Sequence, residues 1–151
     1  MPLHETRDDG YLLAGDRDRI DVELVHRWLS TDAYWALGRT LEEMRGAIAG
    51  SVPAAVYAPD GRQVAFARAV TDGTTFAYLA DVYVAGAHRG RGLGTWLVSA
   101  LRDHLAARGV KRFLLVTKDA QEVYRRLGFT DVQPGRWMEY DRRELGHMQG
   151  P

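Results

Sequence analysis

Val82-Tyr83-Val84, followed after Ala85-Gly86-Ala87-His88 by Arg89-Gly90-Arg91-Gly92-Leu93-Gly94-Thr95, is the stretch that decides how this chain folds. A run of β-branched and aromatic residues ends, a glycine-rich turn follows, and Leu93, Trp96, Leu97, Ala100, Leu101 and Leu105 then trace one face of a helix that should stop at Gly109. A helix start of this kind presents unpaired N–H groups and the positive end of its macrodipole, so it is a ready seat for phosphate oxygens. Glycines at alternate positions let the backbone approach an anion, and two interleaved arginines are hard to explain by a tight turn alone.

Upstream, Ala54 to Ala58, Gln63 to Thr71 and Phe76 to Val84 read as three strands. They are joined by Pro59-Asp60-Gly61-Arg62 and Thr71-Asp72-Gly73-Thr74, turns whose Asp-Gly pairs signal hairpins, and so form an antiparallel meander. Before them, Tyr11 to Ala14 reads as a short first strand. Ile20 to Leu29 has helical apolar spacing with Asp18 as a candidate cap, and Leu41 to Ala49 is a second helix opened by the capping-box pair Thr40 and Glu43. Downstream, Lys111 to Thr117 reads as a buried strand, Asp119 and Glu122 as the cap of a helix closed by Gly128, and Phe129 to Gln133 with Arg136 to Asp141 as a last strand pair. The expected class is α+β, one domain over residues 1–145 with a frayed tail at 146–151 that has little to bury.

Composition narrows the function classes. The chain has 151 residues and no cysteine, which removes disulfides, a thiolate nucleophile and cysteine-ligated metals. Net charge is zero, against a general nucleic-acid binder. Residues 1–75 hold 8 basic and 12 acidic side chains and residues 76–151 hold 12 and 8, which leans an anionic ligand toward the second half. No apolar run approaches a membrane span, and the first fifteen residues lack the order of a signal peptide, so a cytoplasmic protein with no membrane partner is expected. None of the five histidines pairs at metal-ligand spacing, and no G-x-S-x-G elbow supports a hydrolase triad.

Among phosphate-binding schemes, a P-loop fails for want of G-x-x-x-x-G-K-[ST]. A dinucleotide-binding unit fits poorly: the pattern is G-x-G-x-G, the preceding strand belongs to an antiparallel meander, and too little chain remains for a second half. Arg89 to Gly94 instead resembles the [QR]-x-x-G-x-[GA] signature of the GNAT superfamily of acyl-CoA-dependent N-acetyltransferases, with Val82-Tyr83-Val84 similar to the strand before it. Ala120, Tyr124, Gly128 and Phe129 resemble that family's A-x-x-x-Y-x-x-x-G-F, in the right order and about 30 residues on. The resemblance implies a mixed, mostly antiparallel sheet with helices on both faces and a V-shaped splay between the fourth and fifth strands. It implies acetyl-CoA as acyl donor, with no metal, and direct attack by a primary amine in a ternary complex.

By that resemblance, Val82 and Val84, with Tyr83 between them, pair with the pantetheine arm, and the N–H groups of Arg89, Gly90, Arg91, Gly92, Leu93, Gly94 and Thr95 hold the pyrophosphate. Which of Arg89 and Arg91 points inward is open. Tyr124 matches the tyrosine that protonates the departing thiolate, while as a residue of an amphipathic helix it would anchor its ring in the core. Asp81, an acid inside an apolar strand, is a candidate general base through water; a bond to neighbouring backbone, with solvent as the base, serves equally. Ser30 to Arg39 reads as a loop holding two aromatics, an acid and an arginine. Its Tyr34 and Trp35 either line an acceptor pocket or plug the core. The acceptor expected is a small-molecule amine, with a protein N-terminus or lysine as the larger option. A non-catalytic acyl-CoA sensor is the second reading. A homodimer is common in folds of this type, yet nothing identifies an interface.

Overall fold

A computed structural model describes residues 2–143. The chain falls into two compact units, Met1–Val116 and Thr117–Pro151. The expected tail at 146–151 lies outside the described residues.

The first unit holds β1 (His4–Thr6), β2 (Leu12–Ala14), α1 (Val22–Asp32), α2 (Leu41–Ala49), β3 (Val52–Tyr57), β4 (Gln63–Thr71), β5 (Ala77–Val84), α3 (Leu93–Ala106) and β6 (Phe113–Leu115). The six strands lie in sequence order, antiparallel except for the parallel pair β5 and β6. β1 is a strand that hydrophobic patterning missed, because all three of its residues are exposed. It shifts the expected splay to lie between β5 and β6.

Local chemistry explains most boundaries. At α2, the Thr40 hydroxyl accepts from the Glu43 N–H and the Glu43 carboxylate from the Thr40 N–H, both at 3.0 Å, so the capping box forms as read. α1 is capped by Asp21 rather than Asp18: its carboxylate accepts from the Leu24 N–H at 3.1 Å, while Asp18 is used in a preceding 3₁₀ turn. α3 ends in a Schellman arrangement, with Gly109 at φ 107° and the Val110 N–H donating to the Leu105 carbonyl at 3.1 Å. Among the described residues no helix is long and apolar enough to cross a membrane.

The two faces of the sheet follow from strand register. Ala65, Ala67 and Ala69 of β4, opposite Val56, Ala54 and Val52 of β3, point to the α3 side, where small side chains let the helix approach closely. Phe66 points the other way, into a core with Val25 and Leu29 of α1 and Met44 and Ile48 of α2. β5 changes parity in mid-strand: Phe66 faces Tyr83 and Arg68 faces Ala80, so one extra residue of β5 is accommodated between them. Asp81, at φ 56°, is the non-glycine residue with positive φ among those described. This bulge turns Val82 and Val84 toward α3 and Tyr83 toward α1.

β5 and β6 pair only from Ala77/Phe113 to Leu79/Leu115. From Ala80 to Val84 β5 has no strand neighbour on that side among the described residues, which is the splay. β6 itself is three half-buried residues, shorter than the expected Lys111 to Thr117.

In the second unit, α4 (Gln121–Arg126) carries Tyr124. Its N-cap is Ala120, with no side-chain cap bond, so the expected cap pair Asp119 and Glu122 does not form; the Ala120 N–H donates instead to the Thr117 hydroxyl at 3.1 Å. The two expected final strands are absent among the described residues. Residues 129–141 find no ladder partner there, Pro134 removes a donor, and a lone two-stranded hairpin is marginal in water.

Candidate active site

The glycine turn is built as its sequence demands. Gly90 and Gly92 take φ of 78° and 74°, a region costly for residues with a Cβ, and Gly92 is the N-cap of α3. Gly94 is helical and lies under β5: a Cβ there would sit 3.7 Å from both Val82 Cγ1 and Val84 Cγ2. The first intrahelical bond of this turn runs from the Trp96 N–H to the Gly92 carbonyl at 3.0 Å. The N–H groups of Leu93, Gly94 and Thr95 precede it and are available to an anion.

The two arginines of the turn differ. Arg89 Nε donates to the Val84 carbonyl at 2.8 Å, its Nη2 reaches Asp32 at 3.3 Å, and its guanidinium lies 5.3 Å from the centre of the Tyr83 ring. Arg91 has an exposed side chain with no partner among the described residues, so of the two it is the arginine whose charge is not already engaged. The Tyr83 ring stacks on Trp28 at 5.3 Å and its hydroxyl donates to Asp32 at 2.5 Å. Burial and the Asp32 carboxylate both push the Tyr83 hydroxyl above its usual pKa; the Tyr83 hydrogen bond and Arg89 lower Asp32.

An unanticipated staple holds the turn from outside. Arg7, at the end of β1, donates Nη1 to the Arg91 carbonyl at 2.9 Å, with its guanidinium 5.5 Å from the Tyr11 ring centre and 5.2 Å from that of Trp96. Trp96 Nε1 donates to Glu5 at 2.8 Å, and the Tyr11 hydroxyl bonds to His88 Nδ1 at 2.8 Å. A guanidinium between two rings is worth about 1 kcal/mol or more, enough to bias a glycine-rich turn toward one conformation. Replacing Arg7 with Met is therefore expected to raise the dissociation constant for acetyl-CoA roughly 3- to 10-fold while kcat stays within about twofold. Calorimetry beside steady-state rates checks this, and an unchanged affinity would free the turn from the staple.

Asp81 is only 5% exposed, and its carboxylate is fully engaged. Oδ1 accepts from Trp35 Nε1 at 2.8 Å, and Oδ2 accepts from both Arg39 Nη1 and Arg68 Nε at 2.7 Å. Burial pushes its pKa up, but the hydrogen bonds and charges of the two guanidiniums outweigh burial and hold the carboxyl below its ordinary value. Tyr34 and Trp35 are exposed, and Ala33 and Ala36 fill the core in their place. Trp35 instead clips the α1–α2 loop to the bulge. Arg68 escaped notice in the sequence. Its signal was present: it is the charged residue of an alanine-rich strand, and hairpin register sets it opposite the neighbour of Asp81.

In the second unit, the Gly128 N–H donates to the Arg125 carbonyl at 3.0 Å and the Phe129 N–H to the Tyr124 carbonyl at 3.1 Å. This is the Schellman pattern, and the Tyr124 and Phe129 rings meet edge to face at 6.0 Å. The Y-x-x-x-G-F spacing thus has a structural use at the helix end.

The Acetyltransferase (GNAT) family model matches residues 22–129, which takes in α1 through the Schellman turn. The chain belongs to the GNAT family. It is 30% identical over 152 residues to a Gibberella zeae protein named a candidate acetyltransferase, covering 87% of this chain and 85% of that one. A crystal structure of a candidate GNAT acetyltransferase from Xanthomonas campestris pv. campestris superimposes with a TM-score of 0.82 at 40% identity, over 91% of this chain and 95% of that chain. A Mycobacterium tuberculosis protein crystallised with CoA shares the fold, with a TM-score of 0.67 at 22% identity over 80% of this chain and 72% of its own. The GNAT chain described here is accordingly an acyl-CoA-dependent acetyltransferase, of a family that uses acetyl-CoA and an acceptor substrate.

Proposed function

We propose that this GNAT protein transfers the acetyl group of acetyl-CoA to a primary amine on a small molecule, by direct attack with both substrates bound. The observation that carries the reading is the free edge of β5, which runs from Ala80 to Val84 and ends beside the N-terminus of α3. Backbone groups left unpaired along a strand need partners, and the amide-bearing pantetheine arm is a strand-like one. Val82 is the residue best placed to pair with it, since the Val84 carbonyl already accepts from Arg89. Leu93, Gly94 and Thr95 would hold the pyrophosphate by their N–H groups, with Arg91 adding charge.

Acyl transfer also needs a donor for the carbonyl oxygen, a base for the amine and an acid for the thiolate. The bulge leaves an extra β5 N–H without a place in the ladder, and the Val82 N–H is the proposed oxyanion donor. Asp81 is a poor proton acceptor while three donors hold it and its pKa is lowered. We assign it the role of fixing the bulge and the α1–α2 loop, and solvent water that of base. Tyr124 is assigned proton donation to the thiolate. Thiol release from acetyl-CoA over a panel of primary amines tests the activity. Tyr124→Phe keeps the ring against Phe129 and removes only the hydroxyl. It is expected to lower kcat about 100-fold at unchanged acetyl-CoA affinity, and a retained rate would take Tyr124 out of the mechanism.

A further inference from the structure

The cluster at the bulge leaves one positive charge over. Arg39 and Arg68 share a single oxygen of Asp81, and the other oxygen is taken by uncharged Trp35, so one negative group faces two positive ones. Neither guanidinium forms a second ion pair among the described residues; the Glu43 carboxylate, engaged in the capping box of α2, feels the charge of Arg39 without bonding to it. Their side chains are only 20% and 14% exposed, a setting in which an unmatched charge is costly. Arg68 uses only Nε, leaving both terminal nitrogens without partners among the described residues. Arg39 uses only Nη1, for Asp81 and for a longer contact with Met44 Sδ at 3.6 Å. These idle nitrogens reach solvent, since the sealed side-chain nitrogen or oxygen lacking a partner is Gln63 Nε2.

The position of this excess charge is specific. It lies at the residues where β5 leaves β6, on the sheet face covered by α1 and α2, beside the exposed rings of Tyr34 and Trp35, which meet edge to face at 5.0 Å. We propose that the acceptor amine carries a carboxylate, gripped by the idle nitrogens of Arg68 and Arg39, with an apolar portion against Tyr34 and Trp35. A planar guanidinium fork matches a carboxylate, and the bound anion would bring the cluster to neutrality. The chemical class is an apolar amino acid or a close relative. This inference rests on the acetyl-transfer reading above and deepens it.

The test uses the wild-type protein with acetyl-CoA and matched sets of probes: phenylalanine, leucine and methionine, each beside its carboxamide and its decarboxylated amine. The expected result is a kcat/KM at least about tenfold higher for the acids, the scale of a hydrogen bond to a charged group. Arg68→Gln should erase that preference: the ratio of kcat/KM for each acid over its amide should fall to about one, through a rise in KM specific to the acids and beyond any rate change common to all probes. If no probe turns over, the same sets are compared by thermal shift in the presence of CoA, where the acids should stabilise and the amides should not. Equal rates, or equal shifts, for acids and amides would overturn the inference. Acetyl-CoA binding measured in the same samples separates the two ideas: bound acetyl-CoA without acid preference fails this inference alone, and no acetyl-CoA binding fails the underlying reading.

Discussion

Replacing Gly92 with Glu is expected to weaken acetyl-CoA binding by about three orders of magnitude. Two costs combine. Gly92 sits at φ 74°, where any Cβ strains the backbone by roughly 1–2 kcal/mol, although the space itself is open, with Thr95 Oγ1 the nearest atom at 3.7 Å. The larger cost is electrostatic: a carboxylate about 5 Å from a pyrophosphate charge, at an effective dielectric near 20, is repelled by about 3 kcal/mol. Gly92→Ala carries the first cost without the second, so it should bind only several-fold more weakly than wild type. Calorimetric titration of all three proteins with acetyl-CoA measures the difference. Affinities for the Ala and Glu variants within about threefold of each other would remove the pyrophosphate from this turn.

Asp81→Asn should cost about 3 kcal/mol at neutral pH, toward the lower end for breaking a buried pair because both arginines retain some contact with water. For a chain of this length that is a fall in Tm of roughly 6–12 °C. Asparagine tolerates the positive φ almost as well as aspartate and can still accept from Trp35, so the substitution isolates the charge. The pH dependence has a definite sign. The folded-state pKa of Asp81 is lowered, so the unfolded chain binds the proton more readily in acid. Stability contributed by the ionised carboxylate is fully present above the ordinary value of about 4 and is lost as the pH falls through the folded value. The gap between wild type and variant should therefore be widest near pH 7 and narrow progressively below about pH 4. Thermal melts across that range test it, and a gap that does not shrink in acid would mean that Asp81 is not stabilising through its charge.

Elements set by short-range chemistry were legible in the sequence to within a few residues. The capping box of α2, the Asp-Gly turns flanking β4, and the glycine turn into α3 rest on neighbours in the chain, so residue type and spacing suffice. β1 was hidden because an exposed edge strand carries no apolar alternation. Asp18 and Asp119 carried the same capping signal as Asp21 and Thr40, and competition among nearby polar groups decided against them. Phe129 to Gln133 and Arg136 to Asp141 hold aromatic and β-branched residues, but a strand exists only where another chain segment completes its ladder.

The site divides along the same line. The sequence by itself determined a glycine-rich turn into a helix, the family, and an acid in the middle of an apolar strand, because each depends on a short ordered pattern of residue types. Only the tertiary structure decided that Arg89 folds back on the Val84 carbonyl while Arg91 stays free, that Arg7 braces the turn across the hairpin, and that Asp81 holds Trp35, Arg39 and Arg68. Those outcomes depend on a one-residue bulge that reverses the facing of β5 and on contacts between residues as much as 84 positions apart. Spacing within a strand or helix cannot encode them, since it is the docking of one element on another that sets which side chains meet.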